Sequence, residues 1–360
     1  MKVLYIFPKF AAKNSGGSVV CKRNYDSLCA YYGEDSIISY PIHRKGKKSA
    51  IVMFFDDLFS MGFGGLTVED KKRIVLLIKN EDVGLVFIDS SLFGGLSKYI
   101  KKRTSAKTVV FFHNVEYDFV KGLILSNHSF IFSYRIFLAL INEKQAARCS
   151  DLTITLNQKD SDRLKILYGR SSDYVVPVAI KDKLFEVREK DYSTPLNLLF
   201  FGSNFPPNIE AVEILVNNIL PYVKANLTVA GSGMDELLKK YDQSDKLRIK
   251  GFVNDVDELY SSCDIVVMPI VSGAGMKVKT AEAMLYGKNV IATTNALEGY
   301  DVKNVPGIIR CDSINEFINA INNFDTTLPR YNNNIRSLYL DKYSYEASYR
   351  SFKKVFDGLR

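Results

Sequence analysis

Three histidines in 360 residues, far apart at positions 43, 113 and 128, leave little material for a histidine-based metal centre. The five cysteines, at 21, 29, 149, 263 and 311, are odd in number and include no close pair at ligand spacing. That pattern excludes a readable zinc site and a disulfide framework, and fits free, mostly buried thiols in a reducing compartment. No stretch reaches the ~20 uninterrupted apolar residues of a membrane helix. The nearest, Phe130 to Ile141, contains Arg135 and reads as a partly buried helix. Met1-Lys2 leads straight into an apolar run, without the three regions of a secretory signal, so a cytoplasmic protein is the expectation. Short repeats, low-complexity segments and nucleic-acid-binding signatures are also missing.

What is present is ordinary in bulk and uneven in charge. The length suits two domains of ~150–180 residues, and 47% hydrophobic with 24% charged residues is usual for a globular chain. Residues 1–175 carry 26 Lys and Arg against 17 Asp and Glu, whereas residues 176–360 carry 22 against 23, within a net charge of +8. Basic clusters fall at Arg44-Lys45-Lys47-Lys48, Lys71-Lys72-Arg73 and Lys101-Lys102-Arg103. A basic first half suits an anionic membrane, at ~1 kcal/mol per residue near the surface. Each cluster taken alone reads equally as a solvated face.

Two series of short β-branched strands alternating with helical patterns run along the chain. The first begins at Val3–Phe7 and continues through Ser36–Tyr40, Gly84–Asp89, Thr108–Phe112, Leu152–Thr155 and Tyr174–Val176. Helices are expected up to about Tyr32, at Lys71–Lys79, Ser91–Lys102, Phe130–Ala147 and Lys159–Leu167. After a polar connector, Lys181–Pro195, the series restarts at Leu196–Phe201. Strands follow at Asn226–Ala230, Leu247–Lys250, Asp264–Met268, Asn289–Thr293 and Gly307–Cys311. Helices are expected at Ile209–Val223, Met234–Tyr241 and Val256–Ser262. The pattern predicts an α/β chain of two doubly wound, mostly parallel sheets, with ligands at the carboxyl ends of the strands.

The most informative stretch is SGAGMKVKTAEAMLYGKNVIAT, Ser272 to Thr293. Gly273 and Gly275 follow the strand Ile265–Met268 and open a helix, where backbone amides approach an anion and the dipole is positive. Lys277 and Lys279 stand where that dipole repels them, at roughly 0.3–1 kcal/mol each. An anion between them accounts for the arrangement. Glu282 lies roughly 10 Å further along at ~1.5 Å per residue, a span suited to the distance from a diphosphate to a ribose.

This stretch resembles the donor-binding motif of the retaining GT-B glycosyltransferases of family four, Gly-x-Gly-x-(Arg/Lys)-x-Lys-x-x-Glu-Ala-Met. Gly273, Gly275, Lys277, Lys279, Glu282, Ala283, Met284 and Gly287 match it position by position. The resemblance implies a GT-B fold of two Rossmann-like domains facing a central cleft. Residues 1–178 would bind the acceptor, 179–342 the nucleotide sugar, and 343–360 would form a helix crossing back to the first domain. By the same resemblance Glu282 accepts from the ribose hydroxyls and the lysines neutralise the diphosphate, flanked by Ala274 and Met276. Many members carry a second glutamate, for the donor sugar, where this chain has Ala274.

Further segments fit the resemblance in the right order. Gly16-Gly17, in the loop Lys13–Ser18, reads either as a tight turn or as a loop approaching phosphate or acceptor. His113, after the strand ending Phe111-Phe112, matches a histidine that contacts the transferred sugar, and Glu116 is a weaker candidate for the acceptor. Gly202-Ser203 follows the first strand of the second domain, and Asn208 reads foremost as an N-cap for the next helix. Gly231-Ser232-Gly233 resembles the family's glycine-rich turn, and Gly251-Phe252-Val253 the segment whose backbone, at Val253, cradles the base. Glu298-Gly299 echoes a family pair near the nucleotide and reads nearly as well as a surface turn.

The expectation is a glycosyltransferase, with retention inherited from the resemblance, that uses a UDP- or GDP-sugar and requires no metal or other cofactor. His113, Lys279 and Glu282 would be its catalytic residues. Its acceptor would be a glycan or lipid-linked glycan at the cytoplasmic face of the inner membrane, in bacterial surface polysaccharide synthesis, with no nucleic-acid partner. Two alternatives stay open: a nucleotide-sugar epimerase of the same fold, and a non-enzymatic nucleotide-sugar binding protein.

Overall fold

Val3-Leu4-Tyr5-Ile6 is typical of the strands: each side chain is 0–2% exposed, which requires cover on both faces of the sheet. The computed structural model describes residues 1–9, 16–43, 55, 57–58, 65–126, 133–183 and 191–359. The chain divides into two compact units, Met1–Pro177 with Ser348–Arg360, and Val178–Ala347. Each unit contains one six-stranded parallel sheet.

In the first unit the strands are β1 (Lys2–Pro8), β2 (Ile37–Ile42), β3 (Val83–Ile88), β4 (Lys107–Phe112), β5 (Leu152–Thr155) and β6 (Tyr174–Val175), in the order β2-β1-β3-β4-β5-β6. The order reverses at β1, so the switch point of this sheet lies beside the carboxyl ends of β1 and β3. The last helix, Tyr345–Asp357, brings Phe352 into this unit, 6.3 Å from Phe87 and 6.4 Å from Phe111 between ring centroids. Arg23, fully buried, lies over the Phe111 and Phe352 rings and donates to the Pro177 carbonyl and Ser348 Oγ, both at 2.8 Å. One guanidinium thereby ties the two chain segments of the unit together.

In the second unit β7 (Leu196–Phe201), β8 (Ala225–Ala230), β9 (Leu247–Lys250), β10 (Ile265–Met268), β11 (Asn289–Ala292) and β12 (Ile308–Arg310) follow the order β12-β11-β10-β7-β8-β9. Its switch point falls between β7 and β10, where Gly202 and the glycine-rich loop emerge.

Helix pitch departs from the sequence expectation in places. The helix expected over Ile209–Val223 starts at Pro206, where proline suits the first turn, and passes through a π turn, Leu215–Ile219, into a 3-10 turn, Leu220–Tyr222. Met234–Lys239 is 3-10 rather than α. Ser91–Phe93 and Gly95–Lys101 are separate helices, and a Cβ on Gly94 between them would meet the Asn142 carbonyl oxygen at 2.3 Å. Of the helix expected at Phe130–Ala147 the described part is Tyr134–Cys149, with residues 130–132 outside the described ones. Glu116–Ser126, Ile314–Asn322 and Asn333–Leu338 are helices that the sequence reading did not anticipate. The basic cluster at 44–48 and the loop residues 13–15 also lie outside the described residues.

Candidate functional site

Three strand-end loops of the second unit are stitched together by backbone. The Gly202 amide donates to the Ala230 carbonyl at 2.9 Å, Gly231 to Gly251 at 3.1 Å and Asn204 to Ser232 at 2.8 Å. Gly231 has φ 136°, and a Cβ there would lie 2.0 Å from the Gly202 carbonyl oxygen, so only glycine lets the loops after β7 and β8 approach this closely. Gly233, φ 76°, lies against Asn204 in the same way.

The helix Val278–Leu285 brings its first turn to this floor. Gly273 and Gly275 both adopt positive φ, 89° and 75°, with exposed Ala274 between them and Met276 buried behind. Lys277 occupies the N-cap position, and an ammonium cannot accept from the helix amides, so first-turn N–H groups are left for a ligand. Its Nζ instead turns back to the carbonyls of Gly273, 3.2 Å, and Gly275, 2.7 Å, bracing the loop. Thr280, fully buried, anchors the helix by donating to the Ala296 carbonyl at 2.8 Å. At the far end Arg336 donates to the Leu285 carbonyl at 2.8 Å and pairs with Asp182 at 2.5 Å, placing a cation at the negative pole of the helix.

Lys279 is the central group. Its Nζ donates to Asn208 Oδ1 at 2.5 Å, lies 4.5 Å from the Phe200 ring centroid and would be 2.7 Å from a Cβ on Gly202. Burial lowers its pKa to about 7, with Glu282 opposing the shift and Lys277 adding to it. Glu282, three residues along the helix, is raised to about 7 by burial, with Lys183 and Lys279 pulling the other way. Asn208 is not an N-cap: Phe205 takes that position, and the Asn208 amide bridges the Ser203 carbonyl and Lys279. Ser203 is exposed at the loop tip, and Val253 is half-buried beside Phe252, which is 68% exposed. Sequence reasoning missed Asn208 in this role, as well as Lys183 and Arg336.

In the first unit Gly16 and Gly17 form the first turn of the helix Gly16–Tyr32 rather than a loop. His113 follows β4, and its Nε2 faces the Asp89 carboxylate at 2.8 Å and the Asp89 carbonyl at 3.1 Å. Two acceptors on one nitrogen place a proton on Nε2. Asp89, wholly buried at the end of β3, also accepts from Tyr5 at 2.5 Å and Asn24 at 2.7 Å. Burial works to raise the Asp89 carboxyl, but His113, Tyr5 and Cys21 more than offset it and hold it below the usual carboxylate range. Cys21, Asp89 and His113 are the group among the described residues whose ligand atoms, within 4.8 Å of one another, have the spacing of a metal site. Burial, then Asp89, raises the Cys21 thiol, and Asp89 is already engaged by three donors. The cluster is therefore a mount for the imidazole rather than a thiolate ligand set. A strand-end aspartate was the available sequence signal for Asp89.

Glu116 opens the helix Glu116–Ser126 and is buried. Burial, then the neighbouring Glu143, raises its carboxyl to about 8. Glu143, itself raised to about 7 by burial, accepts from the amides of Glu116, 2.8 Å, and Tyr117, 3.1 Å, and from the Tyr168 hydroxyl, 2.8 Å. It caps the helix from a distant segment.

Comparison with known proteins agrees with this architecture. Residues 195–324 match the family of Glycosyl transferases group 1. A protein of Klebsiella pneumoniae described as an uncharacterized 44.6 kDa protein in the cps region is 22% identical over 324 residues, covering 85% of this chain and 80% of that one. Sucrose-phosphate synthase from Thermosynechococcus elongatus superposes with a TM-score of 0.70 at 16% identity, covering 100% of this chain and 99% of that one. Anabaena HepE in complex with UDP-glucose gives 0.68 at 14% identity, covering 99% and 100%. The lipopolysaccharide outer core galactosyltransferase WaaB gives 0.69 at 12% identity, covering 99% of each chain. The fold is GT-B.

Proposed function

We propose that this chain, a GT-B glycosyltransferase whose residues 195–324 form a group 1 domain, transfers a sugar from a UDP- or GDP-sugar to a glycan or lipid-linked glycan in surface polysaccharide synthesis. The observation that carries the reading is Lys279, held by Asn208 above Gly202 at the switch point of the second sheet and on the first turn of a helix without a side-chain cap. A cation and free helix amides at one point suit a diphosphate. As the sugar departs, negative charge grows on the phosphate, and fixed positive groups stabilise that change most. Lys277, released from the Gly273 and Gly275 carbonyls, would add a second cation.

Glu282 accepts from the ribose hydroxyls, and the Gly231–Gly233 and Gly251–Val253 turns flank the nucleotide. His113, held through Nε2 by Asp89, is the candidate contact for a hydroxyl of the transferred sugar. Ala274 offers no carboxylate to that sugar, so sugar selection rests on backbone and on other residues. With retention, the acceptor hydroxyl attacks from the face of the leaving group, and the departing phosphate oxygen takes its proton. Two readings from the comparisons support the substrate class: HepE was solved with UDP-glucose, and the Klebsiella relative lies in a cps region. The basic first unit would meet an anionic membrane peripherally. No helix among the described residues is long and apolar enough to cross one.

Calorimetry with UDP, GDP and their sugars tests the reading, followed by assay of released nucleotide with and without membrane extract. Acceptor-dependent release is the expected result. An isomerised sugar, or binding without turnover under both conditions, would replace transfer with epimerisation or sensing.

A further inference from the structure

In the second unit the Tyr260 side chain is wholly buried, and its hydroxyl has no hydrogen-bond partner among the described residues. Phenylalanine would fill the same space without the cost of an unmet donor. Two rings fix the place of this one. Tyr260 lies flat on Tyr286, with centroids 4.3 Å and planes 11° apart, and edge-on to Phe201 at 6.0 Å. Phe201 ends β7 and precedes Gly202 at the switch point. Tyr286 ends the helix Val278–Leu285 one turn beyond Glu282, so the two side chains are neighbours on one helix face. Its own hydroxyl is taken by Asp257, on the helix Val256–Ser262 that carries Tyr260. Tyr260 is thus wedged between the strand end that meets Lys279 and the helix face that carries Glu282.

Glu282 is the complement of that hydroxyl. It is half-buried, so a ligand reaches it, and its carboxylate accepts no hydrogen bond among the described residues. Burial, then the Glu282 charge, raises the Tyr260 phenol well above its ordinary value, so the hydroxyl keeps its proton. A phenol that keeps its proton is a donor, and a carboxylate only accepts. A bond to the charged form also favours ionisation, which ribose recognition requires. We propose that Tyr260 positions Glu282: with a nucleotide bound, its hydroxyl donates to one carboxylate oxygen and leaves the other to accept from the ribose hydroxyls. Selection for ribose, rather than diphosphate binding, then depends on a residue buried below the site. The assignment rests on Glu282 as the ribose acceptor and adds the group that orients it.

Calorimetry with UDP and 2′,3′-dideoxy-UDP on the wild type, Tyr260→Phe, Glu282→Gln and the double variant tests it. The wild type should bind UDP more tightly than the dideoxy analogue. In Tyr260→Phe, UDP affinity should fall about tenfold while the analogue binds as before. Thermal stability of the nucleotide-free variant should hold or rise, because the lost hydroxyl has no partner in the fold. The acid limb of UDP binding should move to higher pH, since Glu282 loses a donor to its charged form and keeps only the charges of Lys183 and Lys279. In the Glu282→Gln background, Tyr260→Phe should change nothing further. An unchanged preference for UDP in Tyr260→Phe, with that preference lost in Glu282→Gln, would overturn the role of Tyr260 alone. Equal losses for both nucleotides, or a lower unfolding midpoint, would make Tyr260 a packing residue. A wild type that binds both nucleotides equally would overturn Glu282 as the ribose acceptor, and Tyr260 with it.

Discussion

Asn208 and Lys279 are 71 residues apart in the chain, yet the Lys279 ammonium donates to the Asn208 amide oxygen at 2.5 Å, and the other end of that amide donates to the Ser203 carbonyl at 2.8 Å. One neutral side chain therefore fixes the position of the cation that the proposed chemistry requires. Asn208→Ala removes a hydrogen bond to a charged group, about 1.5–3 kcal/mol. UDP affinity measured by calorimetry should fall by ten- to a hundredfold. Because Asn208 does not cap the helix Pro206–Ile214, far-UV circular dichroism should be unchanged. Wild-type affinity in the variant would remove Asn208 from the site.

The pH dependence of UDP binding should be bell-shaped, with its maximum near neutrality. Lys279, lowered by burial to about 7, loses its charge as pH rises above that value. A bound diphosphate raises it again, so binding takes up a proton on the alkaline side, and affinity falls toward tenfold per pH unit. Glu282, raised by burial to about 7, must ionise to accept from ribose hydroxyls, so affinity also falls as pH drops. Lys279→Arg should flatten the alkaline limb and Glu282→Gln the acid limb. Calorimetry in buffers of different ionisation heat reads the proton directly, and a flat wild-type profile from pH 6 to 8.5 would contradict the assignment.

Stability should fall as pH rises through the range set by the buried Glu116 and Glu143 pair. Both carboxyls are raised above the ordinary 4.5, Glu116 to about 8 and Glu143 to about 7. The folded state therefore holds protons that the unfolded chain releases. The stabilisation is present below about 4.5 and is lost progressively as pH climbs toward 8. Glu116→Gln removes the repulsion and should raise stability at pH 8 by about 1 kcal/mol, while flattening the thermal-denaturation midpoint between pH 5 and 8. Glu143→Gln should instead destabilise by about 2 kcal/mol, because the amides of Glu116 and Tyr117 then face a weaker acceptor and a new donor.

How much of this was legible beforehand follows the range of the interactions. The twelve strands among the described residues and the helix Val278–Leu285 come from local pattern: a β-branched run, a glycine with positive φ, a helix start. They stand within a residue or two of expectation, as Gly273, Gly275 and Val278–Leu285 illustrate. What was missed depends on partners distant in sequence. The amides that open Glu116–Ser126 are met by Glu143, 27 residues on from Glu116. Asp89 reads as an ordinary strand end until Tyr5, Asn24 and His113 converge on it. The Asn208 misreading has the same origin: its sequence position before a helix suits a cap, and Lys279 decides otherwise.

The glycine loops offer the last test, since they separate conformational strain from crowding. Gly169 and Gly231 both have positive φ, 80° and 136°. A Cβ on Gly169 meets nothing within 4 Å, whereas one on Gly231 would meet the Gly202 carbonyl oxygen at 2.0 Å and its carbon at 2.6 Å. Gly169→Ala should therefore cost only the left-handed backbone penalty, about 1–2 kcal/mol in thermal unfolding, with UDP binding intact. Gly231→Ala adds backbone overlap that no rotamer relieves, and should cost about 3 kcal/mol or more. It should also force apart the loops after β7 and β8, displacing Gly202 from beneath Lys279. Affinity should then fall at temperatures where the variant is still folded. Equal stability loss in the two variants, with equal UDP affinity, would mean that the close approach of these loops does not support the donor site.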